Sequence, residues 1–305
     1  MEELKLSLCI PTNGVTEWVI PVLDSIYIQN IDQSLFEVIV TDNGDNQEFK
    51  NRIKEYKKKV DNLIYQETTA NGFTNQINAF ELARGALIKF VNHRDSLLPG
   101  TIQYLLNFVD KNIKNMPYVY FSNGVLAFKG VKNMNNYDDF AYNLSYFLSW
   151  SAGIALWNTD FHKVHLDSNY SNMFPHLNFI LPYTDKSEYI IDNSILFNHQ
   201  ETDATKKGKY NLFSTFSVEF MNCMNESLKR KEISERTYNK IKDDNEKFIV
   251  ELYYLYCIRK APCSYDLSKK EESLNCYYNA KTIRIKAYGY FVKRLISKIT
   301  NKIKI

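Results

Sequence analysis

The chain has 305 residues, 45% of them hydrophobic and 14% aromatic, with a formal net charge of +3. That length and apolar content suffice for one large core, or one core plus a helical appendage, and exclude a disordered or fibrous chain. The near-neutral body also excludes a general phosphate-binding surface, so nucleic acid is not expected as a partner.

The charge is unevenly placed. Lys281, Arg284, Lys286, Lys293, Arg294, Lys298, Lys302 and Lys304 follow one another with no acid between them, which makes a cationic tail. Cys9, Cys223, Cys257, Cys263 and Cys276 are odd in number and lack the short paired spacings of a zinc site or disulfide framework, which predicts a reducing, cytosolic compartment. Acidic Glu2 and Glu3 run straight into the strand-like Leu4 to Ile10, which predicts no cleavable leader. No run approaches the roughly 18 apolar residues that span a bilayer, so membrane contact is expected to be peripheral.

Four β-then-α alternations are predicted in the first third. They are Leu4 to Ile10 then Trp18 to Gln29, Phe36 to Thr41 then a helix through Tyr56, Asn62 to Gln66 then Asn75 to Arg84, and Ala86 to Val91 then Gly100 to Lys111. Short apolar runs alternating with helical periodicity predict an α/β fold with a mostly parallel sheet covered on both faces. Tyr118 to Phe128 reads as a further strand pair, and Ser151 to Trp157 as a buried strand leading into a turn at Thr159 to Val164. A catalytic domain over 1–205 and a helical region over 206–305 are expected. The latter comprises Leu212 to Leu228 and then Ser234 to Ile258, with Phe248, Val250, Leu252 and Leu255 along one face.

In such sheets ligands bind beyond the carboxyl ends of the strands. The residues there are Pro11-Thr12-Asn13, Asp42-Asn43-Gly44 and Asn92-His93-Arg94-Asp95. Asp42 has the chemistry to accept hydrogen bonds from ribose hydroxyls or a base N–H, although Asn43-Gly44 is also a strong turn signal in its own right.

Leu6 to Asn13, followed after a helix by Phe36 to Gly44, resembles the opening of a family-2 glycosyltransferase with the GT-A fold, a Rossmann-like architecture. The resemblance implies that Pro11, Thr12 and Asp42 hold the nucleobase and ribose. Asn71 and Asn75 become weaker candidates for nucleotide contact, with helix capping by Asn as the competing role. Asn92 to Gly100 stands in the place of that family's acidic D-x-D motif. Only Asp95 is acidic there, while His93 and Arg94 occupy positions where a carboxylate is often found. The family's acids hold Mn²⁺ or Mg²⁺ against the sugar diphosphate. Here the resemblance implies either a divalent cation held by Asp95, phosphates and water, or Arg94 itself offsetting the diphosphate charge. An Arg94–Asp95 loop ion pair in a decayed site is the third reading.

Ser171 to Phe179 resembles a segment of the abequosyltransferase-like subgroup of surface-polysaccharide enzymes, in which a Phe-Pro-His sequence replaces Glu-Asp. That implies His176 as the general base of an inverting transfer, with Asp160, Asp167 and Asp185 as replacements; a hydrogen-bonded structural histidine is the alternative. His199, Asp203 and the Lys206-Lys207-Gly208-Lys209 cluster are placed near the acceptor or diphosphate, or in a solvated loop.

The function so implied is transfer of a sugar from a nucleotide-diphosphate sugar to a glycan or lipid-linked acceptor in bacterial surface polysaccharide synthesis, capsule or lipopolysaccharide. The alternative is a catalytically decayed binding or scaffold protein. In the tail, Ile283, Ala287, Tyr290, Phe291, Leu295, Ile299 and Ile303 recur at helical spacings between basic residues. They predict an amphipathic helix lying on an anionic membrane, at the inner face of the cytoplasmic membrane, or else packed on the helical region or on another subunit of a homo-oligomer.

Overall fold

The computed structural model describes residues 4–163, 171–180, 186–200 and 203–303. The chain forms two compact units, the first made of Met1–Phe140 and Trp150–Glu201, the second of Ala141–Ser149 and Thr202–Ile305.

In the first unit, β1 (Leu6–Thr12), α1 (Thr16–Tyr27), β2 (Phe36–Asp42), α2 (Gln47–Lys57), β3 (Leu63–Glu67), α3 (Asn75–Glu81), β4 (Leu87–Phe90), β5 (Asp95–Leu97) and α4 (Thr101–Asn112) alternate as expected. Next come β6 (Tyr118–Phe121), β7 (Val131–Met134), α5 (Tyr137–Leu144), β8 (Ile154–Trp157), α6 (Asn158–Phe161), α7 (Leu177–Ile180), β9 (Tyr189–Asp192) and β10 (Phe197–His199). Of the predicted strand pair, only 118–121 is strand; the chain then turns through left-handed Asn123 and Gly124 before β7.

Eight strands form one sheet in the order β3-β2-β1-β4-β8-β6-β9-β7, and β5 pairs with β10 in a separate two-stranded ribbon. Within the large sheet β1, β2, β3 and β4 are parallel to one another, β6 and β9 share their direction, and β7 and β8 run against it. Alternation along β1 explains the layers. Leu6, Leu8 and Ile10 join Val19, Leu23, Phe49, Ile102 and Leu105 of α1, α2 and α4 in the main core. Cys9, on the other face, donates its thiol to the Ala79 carbonyl of α3 at 3.4 Å. Pro11 sits beyond Cys9, where β1 stops pairing with β4, so its missing N–H leaves no rung of that ladder open.

The second unit is helical: α8 (Leu212–Ser214), α9 (Phe220–Lys229), α10 (Glu235–Tyr253), α11 (Lys270–Tyr277) and α12 (Ala280–Ile303). Ser234 caps α10 by accepting from the Thr237 N–H. The buried stripe of α10 is Ile241, Asn245, Ile249, Val250 and Tyr253. Val250 belongs to that stripe, while Phe248, Leu252 and Leu255, at i, i+4 and i+7, share a neighbouring face and are only half-buried, so the four expected residues do not lie along one face. All five cysteines are free thiols. Among the described residues, no helix is long and apolar enough to cross a membrane.

In the first half of the tail stripe, the alternative of packing on the helical region holds. Ile283 and Ala287 are fully buried and Tyr290 and Phe291 pack beside them against Ile249, Tyr253 and Tyr254, so these four residues serve the helical core. Leu295, Ile299 and Ile303 lie on α12, but their side chains are outside the described residues, as are Asp167 and Asp185.

Candidate active site at the carboxyl edge of the sheet

Strand order reverses at β1: β2 and β3 extend to one side and β4 to the other. The crevice beyond the ends of β1 and β4 is therefore the switch point at which α/β sheets receive ligands. Thr12 and His93 meet across it, with the Thr12 hydroxyl 2.9 Å from His93 Nδ1. The same hydroxyl accepts the Gly14 N–H at 3.1 Å. Desolvation first, and then the neighbouring Arg94 guanidinium, push the His93 imidazole down to about 3, so it is neutral at physiological pH. Its ring meets Trp18 of α1 edge-on, centroids 5.1 Å apart.

Thr12 and Asp42 are register neighbours at the ends of β1 and β2. Asp42 Oδ1 accepts the Gly44 N–H at 2.9 Å, and Oδ2 accepts the Tyr65 hydroxyl at 3.1 Å. Burial raises its carboxyl above the usual range, opposed by those two donors. Asp42 thus builds the turn, while each oxygen keeps a further lone pair. Asn46 locks the turn from behind, capping α2 through the Glu48 and Phe49 N–H groups and donating to the Gly14 carbonyl at 2.9 Å. A Cβ on Gly44 would stand 2.1 Å from the Asn13 carbonyl oxygen. Gly44→Ala is therefore expected to cost about 1–3 kcal/mol of stability, as overpacking does, and to weaken nucleotide binding. Urea unfolding and titration with UDP check both effects.

Asn75 is buried and committed to the protein. It donates to the Thr12 and Thr41 carbonyls at 3.2 and 2.8 Å and accepts the Thr68 hydroxyl at 2.8 Å. It ties β1 and β2 to α3 and so shapes the crevice from below. Asn71 is exposed, and its side chain caps no helix.

Beyond β4, Arg94 and Asp95 part company. Arg94 donates to Asn92 Oδ1 from its backbone N–H at 3.1 Å and from Nε at 3.3 Å, and its guanidinium carbon lies 5.4 Å from the Trp18 ring centre. Among the described residues it has no carboxylate partner. The Arg94–Asp95 pair of the third reading is not formed; instead Asp95 Oδ1 lies 2.6 Å from His199 Nδ1, a residue 104 positions away. The antiparallel pairing of β5 with β10 sets His199 opposite Asp95. Asn123, in its left-handed turn, fixes the ribbon by accepting the Leu196 and Phe197 N–H groups and donating to the Phe197 carbonyl at 3.0 Å. The His199 side chain is 55% exposed and that of Asp95 14%. With Nδ1–H donated to the carboxylate, Nε2 of a neutral His199 is a proton acceptor.

His176 is 2% exposed, just ahead of α7, with Phe174 against its ring. Asp160 is placed at the wrong edge. β8 is antiparallel to β4, so α6, which follows it, sits beside the amino end of β4, and Asp160 is bound there by Lys186 at 2.5 Å. Asp203 accepts the Thr205 N–H at 2.9 Å, capping a short turn in the second unit.

Sequence reasoning passed over Lys89, in the middle of β4. It is fully buried and donates from Nζ to the Phe90, Ala152 and Ile154 carbonyls at 2.7, 2.6 and 3.3 Å. The Phe197 and Phe121 rings flank the ammonium at 5.2 and 5.7 Å. A charged residue in a run of Leu87, Ile88 and Phe90 was the available signal.

A mostly parallel sheet whose switch point is lined by Thr12, Asp42 and His93 defines an α/β protein with a ligand crevice at that edge. The model of glycosyl transferase family 2 matches residues 7–175, and the chain belongs to that family. It is 26% identical over 112 residues to the poly(ribitol-phosphate) beta-glucosyltransferase of Bacillus spizizenii strain W23, a stretch covering 36% of this chain and 18% of that one. Its fold matches S. aureus TarS 1-349 in complex with UDP, with TM-score 0.55 and 14% identity over 89% of this chain and 78% of that one. The complex of the same fragment with UDP-GlcNAc gives TM-score 0.53 and 13% identity over 89% and 79%. The chain spans 43% of the longer TarS structure and under a fifth of the Bacillus relative. The expected GT-A architecture, Rossmann-like with a helical C-terminal region, is the fold observed.

Proposed function

We propose that this chain transfers a sugar, with inversion, from a nucleotide-diphosphate sugar to a hydroxyl of a glycan or lipid-linked acceptor in bacterial surface polysaccharide synthesis. The observation that carries the proposal is a guanidinium, Arg94, with no carboxylate partner among the described residues, beside a neutral imidazole bridged to Thr12 at the switch point. The UDP and UDP-GlcNAc complexes of the matching TarS structures support a UDP-sugar as donor. A nucleotide-sugar substrate and five free thiols suit the cytoplasm.

In this reading the acceptor oxygen attacks the anomeric carbon as the carbon–oxygen bond to the diphosphate breaks. The nucleoside diphosphate leaves with the bonding electrons, and the acceptor proton passes to a base. Arg94 offsets charge growing on the diphosphate. His199 is the base we favour, because it is exposed and steered by Asp95; His176 would first have to leave its buried setting. Asp95 remains the one residue of the motif with the chemistry of a metal ligand. Among the described residues no three His, Cys, Asp or Glu side chains gather into a metal site. A Mn²⁺ or Mg²⁺ ion would therefore be held by Asp95 together with the donor's phosphates and water, and would supply further charge stabilisation to the departing diphosphate.

The lone carboxylate of the motif also favours a second reading, a binding protein that has lost turnover. Calorimetric titration with UDP and UDP-sugars, with and without Mn²⁺, followed by a donor panel scored for UDP release, separates the two. Binding without release from any donor, with or without acceptor, would establish the second. Arg94→Ala is expected to weaken UDP binding about tenfold, the loss of one charge-assisted contact. Unchanged affinity would remove Arg94 from the diphosphate.

A further inference from the structure

Helix α12 has two apolar faces. One, carrying Ile283 and Ala287 with Tyr290 and Phe291, is consumed by the helical core. The other carries Ile285, Tyr288 and Val292, which are 64%, 54% and 51% exposed. Their spacing of three and four residues places them in one line on the side opposite Ile283 and Ala287. The sequence continues that spacing with Ile296, Ile299 and Ile303.

The charges divide in the same way. Arg284 and Lys286 are neutralised by Glu271 and Glu246, and Arg294 lies over the Tyr290 ring. Lys281, Lys293, Lys298, Lys302 and Lys304 belong to a stretch that contains no acid.

We infer that this outward line, on a helix whose sequence is rich in lysine and free of acids, is a docking surface for an anionic lipid bilayer. Exposed Ile285, Tyr288 and Val292 enter the acyl boundary while the basic segment is drawn to anionic headgroups. A second copy of the chain is disfavoured, because it would bring two basic segments together. A nucleic acid would satisfy the lysines and leave Ile285 and Val292 against a charged backbone. This inference concerns the second unit alone and does not depend on the reaction proposed above.

The test is co-sedimentation of the full chain with vesicles of phosphatidylglycerol and phosphatidylcholine, against vesicles of phosphatidylcholine alone. The full chain is expected to bind only the anionic vesicles and to be released at about 0.5 M salt, where the Debye length falls to a few ångströms. Ile285→Ser with Val292→Ser removes exposed side chains, so it should leave the circular dichroism spectrum unchanged while lowering vesicle affinity at least about tenfold. Lys281→Glu with Lys293→Glu is the second variant and should act in the same direction. Equal binding to neutral vesicles, no binding at all, or undiminished binding by both variants overturns the inference. So does a lipid-free dimer that the serine variant abolishes, or salt-sensitive RNA binding in place of vesicle binding.

Discussion

Replacing His199 by alanine is expected to lower kcat by about 10²-fold or more, the usual loss for a positioned base, with UDP affinity largely kept. The imidazole is exposed, its Nδ1 is 2.6 Å from Asp95, and the β5–β10 ribbon holds both. Asp95→Asn should reproduce much of the loss, because an amide oxygen still orients the ring but no longer stabilises the protonated form. Asp95→Ala should abolish transfer, since it removes both the steering group and the one carboxylate of the motif. The comparison is His176→Ala, measured by single-turnover kinetics and circular dichroism. If that variant folds and loses the chemical step while His199→Ala does not, the base is His176.

Lys89→Met is expected to destabilise the first unit by about 2 kcal/mol at pH 9, chiefly by leaving the buried Ala152 and Ile154 carbonyls short of a donor. Methionine fills the volume, so little of the cost is a cavity. The pH dependence identifies the group. Burial lowers the Lys89 ammonium to about 7, opposed by the charge of Asp95. Between about pH 7 and the ordinary lysine value near 10.4, the unfolded chain holds a proton that the folded chain has released. Stability contributed by this group therefore rises with pH across that window and is lower at pH 6 than at pH 9. Urea unfolding from pH 6 to 10 should show the rise in the parent and its loss in Lys89→Met. An identical pH profile for both proteins would mean that the amine does not titrate in the folded state.

The alternation of strands and helices was legible because each apolar run is short and each helix keeps its own period. The switch-point residues Thr12, Asp42 and His93 were legible because they follow strands directly. Three things were not. The Asp95–His199 pair depends on an antiparallel ribbon between segments far apart in the chain, and three-residue strands leave no periodicity to detect. Asn75 looked like a nucleotide contact because an Asn beside a helix start gives no hint that three backbone and side-chain partners will consume it. In the tail the reading followed the line of Ile283, Ala287, Tyr290 and Phe291, which packs in the helical core, and passed over Ile285, Tyr288 and Val292, which the helical period sets on the opposite, exposed side.

The chain passes between its two units at 140–141, at 149–150 and again at 201–202. This threading has a consequence for biosynthesis. Leu148 is fully buried, Ser145 bonds to Asp244, and Tyr146 stacks on Phe248, all within the second unit. The segment 141–149 therefore leaves the ribosome well before the residues that cover it. Domains generally fold as they emerge, N-terminal first. Here the sheet can close around residues 150–201 while a short apolar segment waits for the last third of the chain. Nascent chains of which residues up to 201 have emerged should thus hold a formed sheet and an uncovered 141–149 segment, the place at which a chaperone would bind.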